Sequence, residues 1–196
     1  MKIRFPFEHP FALAVALSLS FVAQAADPPR AVRPPGAAVA SAHALASEAG
    51  MDMLRQGGNA FDAAVAVSAV LSVVEPISSG LGGGGFFLLH DAKTGKDIFI
   101  DAREIAPAAA TQAAYLDAKG EFNRDRATNG AWSAGIPGLP AGLVHLASNH
   151  GRLPLKTSLA PAIRIAREGF PVYARLANGY AARREVMERY KGTKGV

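Results

Sequence analysis

Along residues 44–56, Leu45, Ala49, Met53 and Leu54 return about every four positions, the spacing of one helical face, and Gly57-Gly58 closes the run. The spacing predicts a helix over 44–56. A second stretch, 60–74, has almost no polar face. It is Ala- and Val-rich throughout, so a helix there must be sandwiched between layers. Asn59 is placed to cap it, and Asp62 adds a first-turn charge suited to the positive end of a helix. Glu75-Pro76 ends it, because proline disfavours helix in the residue before it. The period then changes. Residues 86–90 and 97–101 read as strands joined by a glycine-containing loop, and 37–42 is a short apolar run that reads as a further strand. Residues 107–130 are mixed and polar, and 133–142 form a stiffened turn region carrying Gly135, Pro137, Gly138, Pro140 and Gly142. Helices are expected again over 141–149, 158–168 and 172–190. Strands in the middle with helices on both sides make a layered α/β or α+β domain.

The first twenty-five residues depart from this pattern. Lys2 and Arg4 precede an apolar run over 11–22, and Ala23-Gln24-Ala25 is a small-x-small cleavage site. Residues 1–25 are read as a signal peptide, with the mature protein periplasmic or secreted. The apolar run is too short to span a bilayer comfortably, so no stable membrane anchor is expected after cleavage, the alternative being an uncleaved anchor. Residues 26–36 are a proline-rich leader.

Composition narrows the chemistry. The apolar share of 49% supplies a real core for one domain. Cysteine is absent, which excludes disulfides, thiolate metal sites and a cysteine nucleophile. The net charge of +5 does not point to nucleic acid, because Lys and Arg are not interleaved with aromatics in a stripe. Basic residues concentrate in 164–194, which reads as a solvated helical face or, alternatively, as a docking surface.

One residue stands out chemically. Arg103 follows the strand over 97–101, some twenty residues past Gly82-Gly83-Gly84-Gly85, and no obvious intrachain partner is in sight beyond a pair with neighbouring Glu104 or Asp101. A guanidinium there is a fork of donors suited to a carboxylate. The glycine run is no phosphate loop, since no Gly-Lys-Ser/Thr follows and it enters a strand; a tight turn is its default reading. Asp62 reads as a helix charge rather than a catalytic acid. The histidines lack metal-ligand spacing, and Ser79, Ser133 and Ser158 lie outside any G-x-S-x-G elbow, so no metal or cofactor is assigned.

Six ordered segments together resemble a known family. They are Val39-Ala40-Ser41-Ala42-His43 running to Gly50; Leu54-Arg55-Gln56-Gly57-Gly58-Asn59-Ala60-Phe61-Asp62-Ala63-Ala64; Glu75-Pro76 with Ser79-Gly80-Leu81-Gly82-Gly83-Gly84-Gly85-Phe86; Asp101-Ala102-Arg103-Glu104-Ile105-Ala106-Pro107; Gly135-Ile136-Pro137-Gly138 with Ala141-Gly142; and Leu159-Ala160-Pro161-Ala162-Ile163 through Phe170. From residue 37 onward the chain is similar to the N-terminal part of the γ-glutamyltranspeptidase large subunit. The resemblance implies part of an αββα sandwich of the N-terminal-nucleophile hydrolase type, incomplete in residues 37–196. It implies a precursor that cuts itself, a threonine acyl-enzyme lying outside this chain, and glutathione or another γ-glutamyl compound as donor, with the γ-glutamyl group passed to water or to an amino acid or peptide. Arg103 matches the family's grip on the donor α-carboxylate, and Glu104 is a supporting residue. No catalytic residue is assigned to residues 37–196, which are expected to be inactive without the missing C-terminal half or small subunit. The alternatives are a catalytically inactive binding or assembly module of the same fold and a related acylase that cleaves β-lactam side chains.

The targeting reading is directly testable: N-terminal sequencing of exported protein should find Ala26 as the first residue. Recovery of soluble exported protein beginning at Met1 would overturn it.

Overall fold

The structure, a computed structural model, describes residues 36–194. The expected signal peptide and all of the leader but Gly36 lie outside the described residues. Helix α1 spans Ala44–Arg55 and α2 spans Ala60–Val74. Strands β1 (Gly85–Asp91) and β2 (Lys96–Ala102) form an antiparallel hairpin. A long irregular connection contains two short 3₁₀ turns, Gln112–Tyr115 and Ala131–Ser133, flanking the five-residue α3 (Arg124–Thr128). Helices α4 (Leu139–His150), α5 (Leu155–Glu168) and α6 (Ala174–Arg189) complete the described chain.

Helix α2 is the centre, as its uniform apolarity requires. One face meets α1 and α5 in a cluster that includes Ala46, Ala49, Met53, Ala66, Val70 and Ile165. Another meets the hairpin and α4 through Val65, Leu89, Leu143 and Leu146. The hairpin register, with Phe87 opposite Ile100 and Leu89 opposite Ile98, turns those four residues toward the helices. Phe86, Leu88 and Phe99 face the other way and remain 54%, 78% and 62% exposed. The hairpin turn is closed by Asp91, whose carboxylate accepts from the Lys93 N–H and the Thr94 hydroxyl, both at 2.9 Å. Those bonds, the Lys93 backbone bond foremost, hold the Asp91 carboxyl below the ordinary aspartate range.

Residues 37–42 do not form the expected strand. The two described strands pair only with each other, and residues 37–42 lie against the helices instead, with Val39 packed on the α1–α2 cluster. Helix α4 begins at Leu139, two residues earlier than its apolar pattern suggests, because Pro140 suits the first turn, where its missing N–H costs nothing. Helix α5 likewise starts earlier, at Leu155 behind Pro154.

The helices are tied by one buried carboxylate. Asn59 and Asp62 form a reciprocal capping box at the start of α2. Asp62 is fully buried, and its oxygens accept from Asn59 N at 2.8 Å, from Arg152 N at 3.0 and 3.1 Å, and from Leu153 N at 3.1 Å. The Asn59 amide donates to His150 O at 2.7 Å. A first-turn charge therefore also fastens the α4–α5 turn to the start of α2.

Asp62→Ala should destabilise the chain by about 2–4 kcal/mol, because it removes a fully buried acceptor that ties the N-cap of α2 to the backbone N–H groups of the α4–α5 turn. Asp62→Asn should recover only part, since an amide presents its own donors to some of those N–H groups. Urea unfolding measures both; an Asp62→Ala midpoint equal to that of the parent would show that the carboxylate is not the tie.

Candidate substrate-binding site beside the glycine run

Side chains alternate along β2, so Ile100 and Ala102 point inward while Asp101 and the following Arg103 point out. Arg103 therefore emerges on the exposed face of the hairpin. Its side chain is 62% exposed, and its guanidinium carbon sits 6.0 Å from the centre of the Phe86 ring, which stacks on Phe99 at 5.5 Å. Asp101 does not pair with the guanidinium; its carboxylate accepts from the Arg103 backbone N–H at 2.9 Å. Glu104 does approach, with Oε1 at 3.8 Å from Nε. An intrachain partner thus exists, but it is long and engages one edge only. Among the described residues, the terminal nitrogens have no carboxylate within ion-pair reach. Two donors of an exposed guanidinium are left without an acidic partner, and such a fork suits bidentate binding of a carboxylate.

Three separated segments build this position. Gly83 O accepts from Gly138 N and Leu139 N, both at 3.1 Å, so the glycine run supplies the acceptor for the first donors of α4. Ile105 and Ile136 exchange backbone bonds of 3.2 and 2.8 Å. The approach is close enough to demand glycine twice. A Cβ on Gly84 would collide with Glu104 N and lie 2.5 Å from Arg103 Cα, and one on Gly138 would collide with the carbonyls of Ala102 and Arg103. Segments 80–85, 101–107 and 135–142, read from sequence as separate motifs, meet at the backbone of residues 102–105.

Other groupings escaped the sequence. Arg126 lies 5.0 Å over the Trp132 ring, whose carbonyl accepts from the Tyr115 hydroxyl at 3.1 Å. Glu75, read only as a helix stop, is 3% exposed and accepts a short hydrogen bond from the Tyr173 hydroxyl. Burial and then that hydrogen bond raise the Tyr173 phenol above its ordinary value. No local pattern signals these contacts; a charged residue at a helix end inside an apolar neighbourhood is the only hint.

Comparison with known proteins follows from the same segments. A family model described as Gamma-glutamyltranspeptidase matches residues 46–196. The glutathione hydrolase proenzyme of Bacillus subtilis strain 168 is 42% identical over 188 residues, covering 90% of this chain and 32% of that protein. The chain spans about a third of the length of the curated relatives it matches. The crystal structure of Helicobacter pylori gamma-glutamyltranspeptidase superposes with a TM-score of 0.79 at 36% identity, covering 84% of this chain and 47% of that one. Cephalosporin acylase from Bacillus halodurans superposes with a TM-score of 0.63 at 32% identity, covering 82% and 32% respectively.

Gly84→Ala should cost about 1–3 kcal/mol, because its Cβ meets backbone that cannot move without shifting Arg103. Gly82→Ala, with nothing within 4 Å of its Cβ, should stay within about 0.5 kcal/mol of the parent. Equal melting temperatures for the two variants would mean that the close approach carries no energy.

Proposed function

The chain belongs to the gamma-glutamyltranspeptidase family, and on that premise we propose that it supplies the donor-binding part of an exported γ-glutamyl transferase or hydrolase acting on glutathione and related γ-glutamyl compounds. Its fold is α/β, part of an N-terminal-nucleophile hydrolase sandwich, in which the hairpin and its covering helices form part of the αββα layers. The observation that carries the functional reading is the exposed guanidinium of Arg103, whose backbone lies at the junction of three segments and whose terminal nitrogens have no carboxylate in reach among the described residues.

In this reading Arg103 binds the α-carboxylate of the donor through two parallel charge-assisted hydrogen bonds. Glu104, at Nε, keeps the fork from rotating away. The remaining parts belong to the small subunit, outside this chain, which is made when the precursor cuts itself. There the hydroxyl of an N-terminal threonine attacks the γ-carbonyl and its own α-amine takes the proton. The amide C–N bond breaks, the leaving amine receives that proton, and a γ-glutamyl ester remains. Water or an amino acid or peptide then attacks the ester and regenerates the threonine. Residues 37–196 alone catalyse nothing in this scheme. The exposed Phe86, Leu88 and Phe99 support it from another side, because a sheet face that apolar calls for a covering layer, here the one supplied by the small subunit.

A second reading is a related acylase that cleaves β-lactam side chains, favoured by the superposition on the Bacillus halodurans cephalosporin acylase. The two differ at Arg103, since only the first requires an α-carboxylate on the substrate.

In the whole enzyme, Arg103→Ala should lower kcat/KM for γ-glutamyl donors by roughly 30- to 1000-fold, the equivalent of about 2–4 kcal/mol for a lost bidentate contact, mostly through KM and with self-cleavage intact. Arg103→Lys should restore only part of this, because an ammonium cannot form the fork. An unchanged kcat/KM in the alanine variant would make the arginine structural. Faster turnover of β-lactam side chains than of γ-glutamyl donors by the parent enzyme would favour the acylase reading.

A further inference from the structure

Helix α6 is held in an unusual way. Of its sixteen residues only Leu176 is buried, so packing alone does little to fix it. Its N-terminal turns instead converge on a stretch about a hundred residues earlier, at the end of α2. The Tyr173 hydroxyl, one residue before the helix, donates to Glu75 Oε1 and lies 3.0 Å from Val74 O. An Arg175 terminal nitrogen donates to the Ser78 hydroxyl at 3.3 Å. Gly179 packs so closely on Ile77 that a Cβ there would lie 3.0 Å from Ile77 Cδ1. The Tyr173 ring rests 5.5 Å from that of His43, the residue that caps α1.

The stretch so gripped leads into the glycine run. Glu75 O accepts from Ser78 N at 2.9 Å and Ser79 N at 2.8 Å, which makes residues 75–79 a closed turn. Gly80 O accepts from Gly83 N, and Gly83 O caps α4, so the path from this turn to the Arg103 junction is a short hydrogen-bonded relay. Glu75 is 3% exposed, and its second oxygen is buried with no partner among the described residues. A residue present for packing alone would not bring a half-satisfied carboxylate into the interior. A carboxylate present to receive one phenol from a distant helix would.

We infer that the N-terminal turns of α6 form a clasp on residues 74–78 that sets the position of the glycine run, making Tyr173 and Glu75 positioning residues for the Arg103 site. The clasp stands on the contacts just described. Its consequence for donor binding rests on the γ-glutamyl reading above.

Amide hydrogen exchange on the full chain separates the two. Tyr173→Phe keeps the ring against His43 and removes only the donor; it should raise exchange across residues 77–84 about tenfold while α1 and the hairpin keep their protection. Glu75→Gln, whose amide oxygen still accepts from the phenol, should raise it by less than about threefold. Arg175→Ala is an exposed change that leaves the core untouched, so it keeps the test open even where Tyr173→Phe does not fold; it should loosen the same segment about twofold to threefold. Unchanged exchange over 77–84 in the folded variants, or a rise shared equally by α1 and the hairpin, overturns the clasp. In the whole enzyme Tyr173→Phe should raise donor KM with kcat held. Faster exchange at 77–84 with an unchanged KM would leave the clasp standing and count against Arg103 as the donor grip.

Discussion

A single buried carboxylate sets the frame on which everything else in this chain is hung. Asp62 gathers N–H groups from the start of its own helix and from the α4–α5 turn some ninety residues away. Without it the N-cap N–H of α2 and the N–H groups of the turn would lose their shared acceptor. Joined through one anion, the helix start and the turn are held together. The charge is offset locally by N–H dipoles and the positive end of α2, so no Lys or Arg has to be buried with it. Because α2 packs on α1, α4, α5 and the hairpin at once, locking its first turn to the α4–α5 corner fixes the crossing of nearly every element that matters to the site.

The site follows from that crossing through close approach rather than through large side chains. With α4 fixed, its first residues reach Gly83, and the backbone of 102–104 is squeezed between Gly84 and Gly138. Ala102, small and buried, continues the inward alternation of β2, so Arg103 must face outward. The orientation of the guanidinium is thus a consequence of strand parity and of two missing Cβ atoms. Phe86 then limits where the long side chain can swing, since its ring lies under the cation.

Much of this was legible before any coordinates, and the boundary between what was and was not is physical. The two N-terminal helices, the hairpin and the capping role of Asn59 are encoded within windows of about a dozen residues, by period, cap and turn chemistry. Arg103 stood out for the same reason, as a cation ending a strand. What could not be read depends on contacts between distant residues. Asp62 looked like an ordinary first-turn charge because its other partners, Arg152 and Leu153, lie far along the chain. Glu75 looked like a stop signal because Tyr173 is 98 residues away. The run 37–42 has strand-like composition, yet a strand is a property of a pair, and this run packs on the helices rather than along the hairpin. The connection over 103–138 has no sustained period; its order comes from isolated bridges such as Ile105 to Ile136 and from the polar contacts of Arg183 with Asn129 and Arg189 with Asp125.

Those last contacts complete the logic of α6. At its C-terminal end Arg189 pairs with Asp125 at 3.1 Å, and the Asn129 amide and the Arg189 guanidinium together hold the Asp125 carboxyl below its ordinary range. At its N-terminal end the helix grips residues 74–78. One basic, poorly buried helix therefore spans from the turn that leads into the glycine run to the irregular connection that leaves the Arg103 segment. Exposed ion pairs contribute little to stability one by one, so this helix is a weak stabiliser of the core. Its value is geometric: it bridges the two approaches to the same junction, and a bridge of polar contacts can yield where a packed core cannot.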